Sequence, residues 1–138
     1  MLRVIEPKHL AGEWERVRTG LVEVKKATSD DWLPEDVYMA VRTGQAVLYI
    51  GTGDAGEYMG FLVLRLVAST HSTKMEIWCA YAVPGAHALR RFLPHILAVA
   101  ANAGASGIVF SSSRAWSAAA RRLGFAPASV SYELNLQE

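Results

Sequence analysis

Two apolar runs in the middle of the chain, Tyr58 to Ala68 and Ile77 to Val83, restrict the fold more than any other feature. The second is nearly continuous in apolar character, without the polar alternation of a half-solvated strand. A strand of that kind is covered on both faces, so helices are expected on either side of the sheet that holds it. Lys74 extends this strand backwards, the polar turn Ser69 to Thr73 precedes it, and Pro84-Gly85 ends it. Upstream, Ala46 to Ile50 reads as a strand. The turn-forming run Gly51-Thr52-Gly53-Asp54-Ala55-Gly56 joins it to the first apolar run as a hairpin.

The rest of the chain fits around that core. Leu2 to Ile5 is a short strand ended by Pro7. Trp14, Val17, Leu21 and Val24 recur at helical spacing. Pro34 with Glu35 and Asp36 starts a second helix, because proline suits the first turn and acids suit the positive end of the helix dipole; Gly44 ends it. Leu89, Phe92, Leu93, Ile96, Leu97, Ala100 and Ala103 form a third helical stripe, closed by Gly104 and interrupted by Pro94. Either that helix kinks at Pro94 or its regular part begins near Leu93. Ile108 to Ser111 is a strand, and Ala115 to Leu123 is a short helix ended by Gly124. In Ser129 to Leu136, Val130, Tyr132, Leu134 and Leu136 alternate with polar residues, the pattern of a closing strand with one wet face. The order is β-α-α-β-β-β-α-β-α-β. It describes one α/β (α+β) domain over residues 1–138, with four helices and a mixed, twisted sheet of about six strands. The fourth and fifth strands should be parallel and diverging. The apolar stripes predict burial of Trp14, Phe92, Leu93, Ile96, Leu97, Trp116, Leu123 and Phe125.

Charge narrows the function. The formal net charge of +1 gives no overall drive toward nucleic acid or membrane. Between Glu76 and Glu133 there is no acid, while Arg90, Arg91, Arg114, Arg121 and Arg122 fall there. An anionic partner would be welcome on that half; a helix surface coated with arginine explains it equally well. The arginines lack the interleaved aromatics of a single-strand binder. Cys79 is the single cysteine, so no intramolecular disulfide forms, and its apolar surroundings suit a small core residue. His9, His71, His87 and His95 show no metal-ligand spacing, and no metal site is expected. The first ten residues have no apolar signal core and no stretch reaches membrane-spanning length, which predicts an intracellular, cytoplasmic protein.

The element order, together with Ser113-Arg114-Ala115-Trp116-Ser117-Ala118-Ala119-Ala120-Arg121-Arg122-Leu123-Gly124-Phe125, resembles the GNAT superfamily of acyl-CoA-dependent N-acyltransferases. The family commonly runs a short helix into Leu-Gly-Phe and a last strand. The Trp-Cys-Ala-Tyr-Ala strand and the Ser-Arg-x-Trp step are similar to GNAT-like proteins of tailed phages, which would place the protein in a bacterial host cytoplasm. The resemblance implies that the pantetheine arm of acetyl-CoA lies between the fourth and fifth strands, along Tyr81, Ala82 and Val83. It implies that the pyrophosphate rests on the helix start from Gly85 through Ala86, His87 and Ala88 to Leu89. Arg90, Arg91, Ser111 and Trp116 are the flanking candidates for cofactor contacts.

The chain departs from the family pattern at three points. The family's loop reads Gln/Arg-x-x-Gly-x-Gly/Ala, whereas Val83-Pro84-Gly85-Ala86-His87-Ala88 carries one glycine, so phosphate approach is crowded. Many members place a proton-donating tyrosine four residues before the glycine of Leu-Gly-Phe; here that residue is Ala120. Tyr81 or Tyr132 are the candidate substitutes, and a core role fits each. For the base, Glu76 is the one acid of its strand, expected opposite a face formed by Ile77, Cys79 and Tyr81. Ser111, Ser112 and Ser113 either contact a ligand or cap the next helix. Two functions follow. One is a GNAT-like scaffold with a degraded acyl-CoA loop that binds or assembles with an unknown protein partner. The alternative is an N-acetyltransferase that acts on a small-molecule amine by direct transfer.

Overall fold

The computed structural model describes residues 1–28, 30–111 and 117–136. Its elements are β1 (Leu2–Ile5), a 3-10 turn (Pro7–His9), α1 (Leu10–Ala27), α2 (Pro34–Arg42), β2 (Val47–Thr52), β3 (Tyr58–Ala68), β4 (Thr73–Ala82), α3 (Ala88–Asn102), β5 (Ile108–Val109) and α4 (Ser117–Arg122). One mixed sheet has the order β1-β2-β3-β4-β5. The first four strands are antiparallel neighbours, and β5 pairs in parallel with β4.

Helix ends follow the chemistry of the sequence. Pro34 opens α2, and the Asp36 carboxylate accepts the Leu33 N–H at 2.8 Å, satisfying one of the donors a helix start leaves over. Gly44 closes α2 with φ +81°, where its N–H donates to the Val41 carbonyl. Pro94 neither breaks nor delays α3. Arg90 and Pro94 both lie on the exposed side, where water can take the carbonyl that the missing proline N–H leaves unbonded.

Two apolar clusters cover the two faces of the sheet. Leu10, Val17 and Leu21 of α1 and Val37 and Val41 of α2 pack on Leu48, Ile50, Phe61, Val63 and Cys79. On the other face Phe92, Ile96 and Ala100 of α3 pack on Leu62, Leu64, Met75 and Ile77. The continuous apolar run of β4 thus has the double cover that its sequence demands. Gly20 allows the α1 packing, since a Cβ there would lie 2.5 Å from the Phe61 ring.

The structure corrects the sequence reading in three places. First, Ser129 to Leu136 forms no strand; Val130, Tyr132, Leu134 and Leu136 are 69%, 91%, 84% and 89% exposed, and the sheet has five strands among the described residues. Second, the buried stripe of α3 is Phe92, Ile96 and Ala100. Leu93 is half-buried and Leu97 is 53% exposed. Trp14, Leu123 and Phe125 are also half-buried. Trp116 lies outside the described residues. Third, β4 does not hold a period of two. Val63 pairs with Cys79 and Leu64 with Ile77, so Trp78 is an extra, bulged residue. Met75 and Ile77 therefore face α3, whereas Cys79 and Tyr81 face α1. Ile77, Cys79 and Tyr81 share no common face.

Candidate functional site

The sheet opens where β4 leaves β5. Pairing covers only Met75–Ile108 and Glu76–Val109, while β4 continues to Ala82. From Ile77 onward its outer edge has no strand partner among the described residues. An edge of this kind offers a row of backbone N–H and C=O groups to an extended ligand.

A cavity of about 420 Å3 lies at that edge. Leu62, Ile77, Leu89 and Phe92 line it from the α3 side, and Val24, Ala27 and Phe61 from the α1 side. Small residues keep it open: Gly60, Ala80, Ala82 and Ala88 all border it. Gly60 is held at φ +141°, and a Cβ there would lie 2.0 Å from the Tyr81 carbonyl oxygen. No other residue fits that β3 position without parting the strands.

Among the described residues, three polar side chains reach the lining. Glu23 of α1 is its one carboxylate among the described residues, half-exposed and paired with Lys26 at 3.0 Å. The Thr28 hydroxyl donates to the Asp30 carboxylate at 3.1 Å. Tyr81 stacks on Phe61 with ring centroids 5.8 Å apart, on the α1 side of the sheet. Sequence reasoning did not single out Glu23, because it reads there as one of several charged residues between the apolar positions of α1.

Next to the cavity stands the start of α3. Gly85 has φ +82°, and His87, the residue before the helix, has φ +50° and ψ +42°. A left-handed conformation at a residue with a Cβ costs roughly 1–2 kcal/mol. The Ala86 N–H donates to the Val83 carbonyl at 3.1 Å. The N–H groups of Ala88, Leu89 and Arg90 have no acceptor within the helix, as at any helix start, and they lie at its positive end. The turn thus keeps left-handed backbone at two alternate positions with only one glycine.

The structure gathers some of the sequence candidates and separates others. Tyr81, Ala82 and Ala88 line the cavity, and Val83, Gly85, Ala86 and His87 form the adjoining turn. Arg90 is exposed on the first turn of α3, and Arg91 is paired with Asp54 of the β2–β3 turn at 2.7 Å. Ser111 is exposed beyond β5, and Trp116, with Ser112 and Ser113, lies outside the described residues. Glu76 is absent from the cavity lining. Its carboxylate accepts a hydrogen bond from Arg65 Nε, and the Arg65 guanidinium lies 4.1 Å above the Trp78 ring. That group faces a separate depression against α2, bordered by Met39, Ala40 and Thr43.

Other reactive groups are in the core. Burial pushes the Cys79 thiol far above its ordinary range, so it stays protonated and weakly nucleophilic. Burial also pushes Tyr58 up to about 12, against the opposing pull of Arg16, whose guanidinium lies 4.6 Å from the ring centre. Tyr132 is exposed and lines none of the cavities described above. Ala120 sits on α4, where its carbonyl accepts the N–H groups of Leu123 and Phe125. No group of three His, Cys, Asp or Glu side chains among the described residues is placed to hold a metal ion, and no described helix is long and apolar enough to cross a membrane.

No protein-family model matches the chain, and no curated protein matches it in sequence. Solved structures do. A predicted acetyltransferase from Clostridium acetobutylicum, solved with acetyl-CoA, superposes with a TM-score of 0.71 at 14% identity, covering 99% of this chain and 96% of that one. A ribosomal-protein-alanine N-acetyltransferase from Brucella melitensis gives 0.69 at 13% identity, with 99% of each chain covered. An acetyltransferase from Trypanosoma brucei gives 0.64 at 16% identity, again over 99% of each chain. The chain has the fold of the GNAT acetyltransferases.

Proposed function

We propose that the protein is a GNAT-fold binding protein that retains the acyl-thioester cleft, holds acyl-CoA weakly and transfers its acyl group poorly. The observation that carries this reading is the turn before α3. The cavity beside it has the apolar walls and open strand edge that suit an extended thioester arm. The Cβ atoms of Ala86, His87 and Ala88 crowd the backbone N–H groups that would meet a pyrophosphate, and Pro84 has no N–H to give. Loss of two charge-assisted hydrogen bonds, at about 1.5–3 kcal/mol each, weakens binding by roughly a hundredfold or more. The exposed Arg90 offsets only about 0.2–1 kcal/mol of that.

Chemistry is limited as well. A departing thiolate needs a proton, and the position that carries a tyrosine in many GNAT enzymes is Ala120 here. Glu76 is occupied by Arg65 on the α2 side. One observation favours the alternative, an amine N-acetyltransferase: Glu23 at the cleft rim is placed to accept a proton from an incoming amine. Thiol release from acetyl-CoA with a panel of small amines separates the two. The binding reading expects a rate at background for the native chain. Turnover that exceeds background at least a hundredfold, and is lost in Glu23→Gln, establishes the enzyme instead.

A further inference from the structure

The cleft has walls on both faces of the sheet. Leu62, Leu89 and Phe92 line it on the α3 side, and Val24, Ala27 and Phe61 on the α1 side. One cavity reaches both faces at the strand where β5 parts from β4. Pairing stops at Glu76, and the edge of β4 from Ile77 onward has no strand partner among the described residues. The turn before α3 adjoins the first side, and the second side ends against the last turns of α1.

The surface offered by α1 is mostly apolar, and polar groups near it are already engaged. Glu23 is paired with Lys26 at 3.0 Å, and the Thr28 hydroxyl donates to Asp30 at 3.1 Å. An acetyl group has a single methyl to set against Val24, Ala27 and Phe61, and it leaves most of that surface facing water. Space is available for more. At about 30 Å3 for each group the size of a water molecule, a cavity of about 420 Å3 holds about fourteen such groups. The end of a pantetheine arm, from its last amide carbonyl to the sulfur, takes about six of these places and leaves about eight.

We infer that the cleft takes a medium-chain acyl thioester, of about six to eight carbons, with the chain passing the β4 edge onto Val24, Ala27 and Phe61. This rests on the thioester-cleft reading above and names the acyl group that the cleft selects. The chain supplies affinity that the turn before α3 withholds from acetyl-CoA. A fully buried methylene tightens binding about fourfold, and a half-buried one about twofold. Octanoyl is longer than acetyl by six methylenes, which at half burial gain about fiftyfold together. Glu23 narrows the choice further, because a carboxylate at the rim opposes the charge of a free fatty acid and not a neutral thioester.

Calorimetric titration of the full chain with S-octanoyl-pantetheine and S-acetyl-pantetheine tests this, with octanoate as the third ligand. The octanoyl thioester should bind about fiftyfold more tightly than the acetyl thioester, and octanoate about tenfold more weakly than the octanoyl thioester. Ala27→Phe fills the α1 side from an exposed position at the end of α1, where the fold has room for a larger side chain. It should reduce the octanoyl preference to about threefold, with the acetyl-thioester affinity and the circular-dichroism spectrum unchanged. Equal, measurable affinities for the two thioesters overturn the inference and leave the cleft reading standing. So does an octanoyl preference that Ala27→Phe leaves intact, or octanoate that binds as tightly as its thioester. Binding of neither thioester overturns the cleft reading as well.

Discussion

Gly60→Ala tests the closest contact in the fold and the wall of the cleft together. Gly60 lies opposite Ala82 in the β3–β4 ladder, at φ +141°. The new Cβ would lie 2.0 Å from the Tyr81 carbonyl oxygen, 2.9 Å from the Ala82 Cα and 3.0 Å from the Tyr81 carbonyl carbon. All three are backbone atoms, so no side chain can swing aside. The forbidden dihedral costs about 1–3 kcal/mol, and separating the strands sacrifices at least one ladder hydrogen bond, worth about 1 kcal/mol. The sum is about 3 kcal/mol. For a domain of this length the unfolding entropy is roughly 0.3 kcal/mol per degree, so Tm should fall by about 10 °C. Gly85→Ala is the control. It also has a left-handed φ, +82°, but nothing lies within 4 Å of its would-be Cβ, so only strain of about 1 kcal/mol is expected, or about 3 °C. Thermal unfolding followed by circular dichroism reads both. If Gly60→Ala lowers Tm no more than Gly85→Ala, the β3–β4 register around the cleft is wrong.

Other outcomes follow from the same geometry. His87→Gly relieves the left-handed Cβ and should raise Tm by about 2 °C; with Ala86→Gly it should tighten acetyl-CoA binding about tenfold by calorimetry. Glu76→Gln breaks the half-buried pair with Arg65 and should cost about 1 kcal/mol in a denaturant melt, without a measurable change in acetyl-CoA affinity, because Glu76 does not line the cleft. Cys79, its thiol raised by burial, stays protonated as pH rises from 7 to 9. Iodoacetamide should therefore label it negligibly in the native protein across that range, and fully in guanidinium, as read by mass spectrometry.

The architecture was legible because the decisive signals were local. The double-covered run of β4, the Gly-rich hairpin turn, Pro34 with its acids and the glycines at 44, 104 and 124 each act within a few residues. The Leu-Gly-Phe step behaves as the sequence suggests, with Gly124 at φ +93° and Phe125 packed against Phe110. The bulge at Trp78 was not legible. Nothing in Ile77-Trp78-Cys79 marks the residue at which a period of two slips, so Glu76 was assigned to the wrong surroundings. Glu23 was equally hidden, since it reaches the cleft only because α1 crosses β4. The alternation in Ser129 to Leu136 reads as a strand in sequence, yet the segment forms none, and no local signal in it marks the difference.

The central claim is that the cleft beside β4 survives while its phosphate grip is weakened. Calorimetric titration of the native chain with acetyl-CoA measures this directly, with pantetheine as the comparison ligand that lacks the nucleotide and its pyrophosphate. The account predicts a dissociation constant in the hundreds of micromolar or weaker for acetyl-CoA, and at most about a tenfold loss on going to pantetheine. A low-micromolar constant for acetyl-CoA, with pantetheine weaker by a thousandfold, would show an intact phosphate cradle and contradict it.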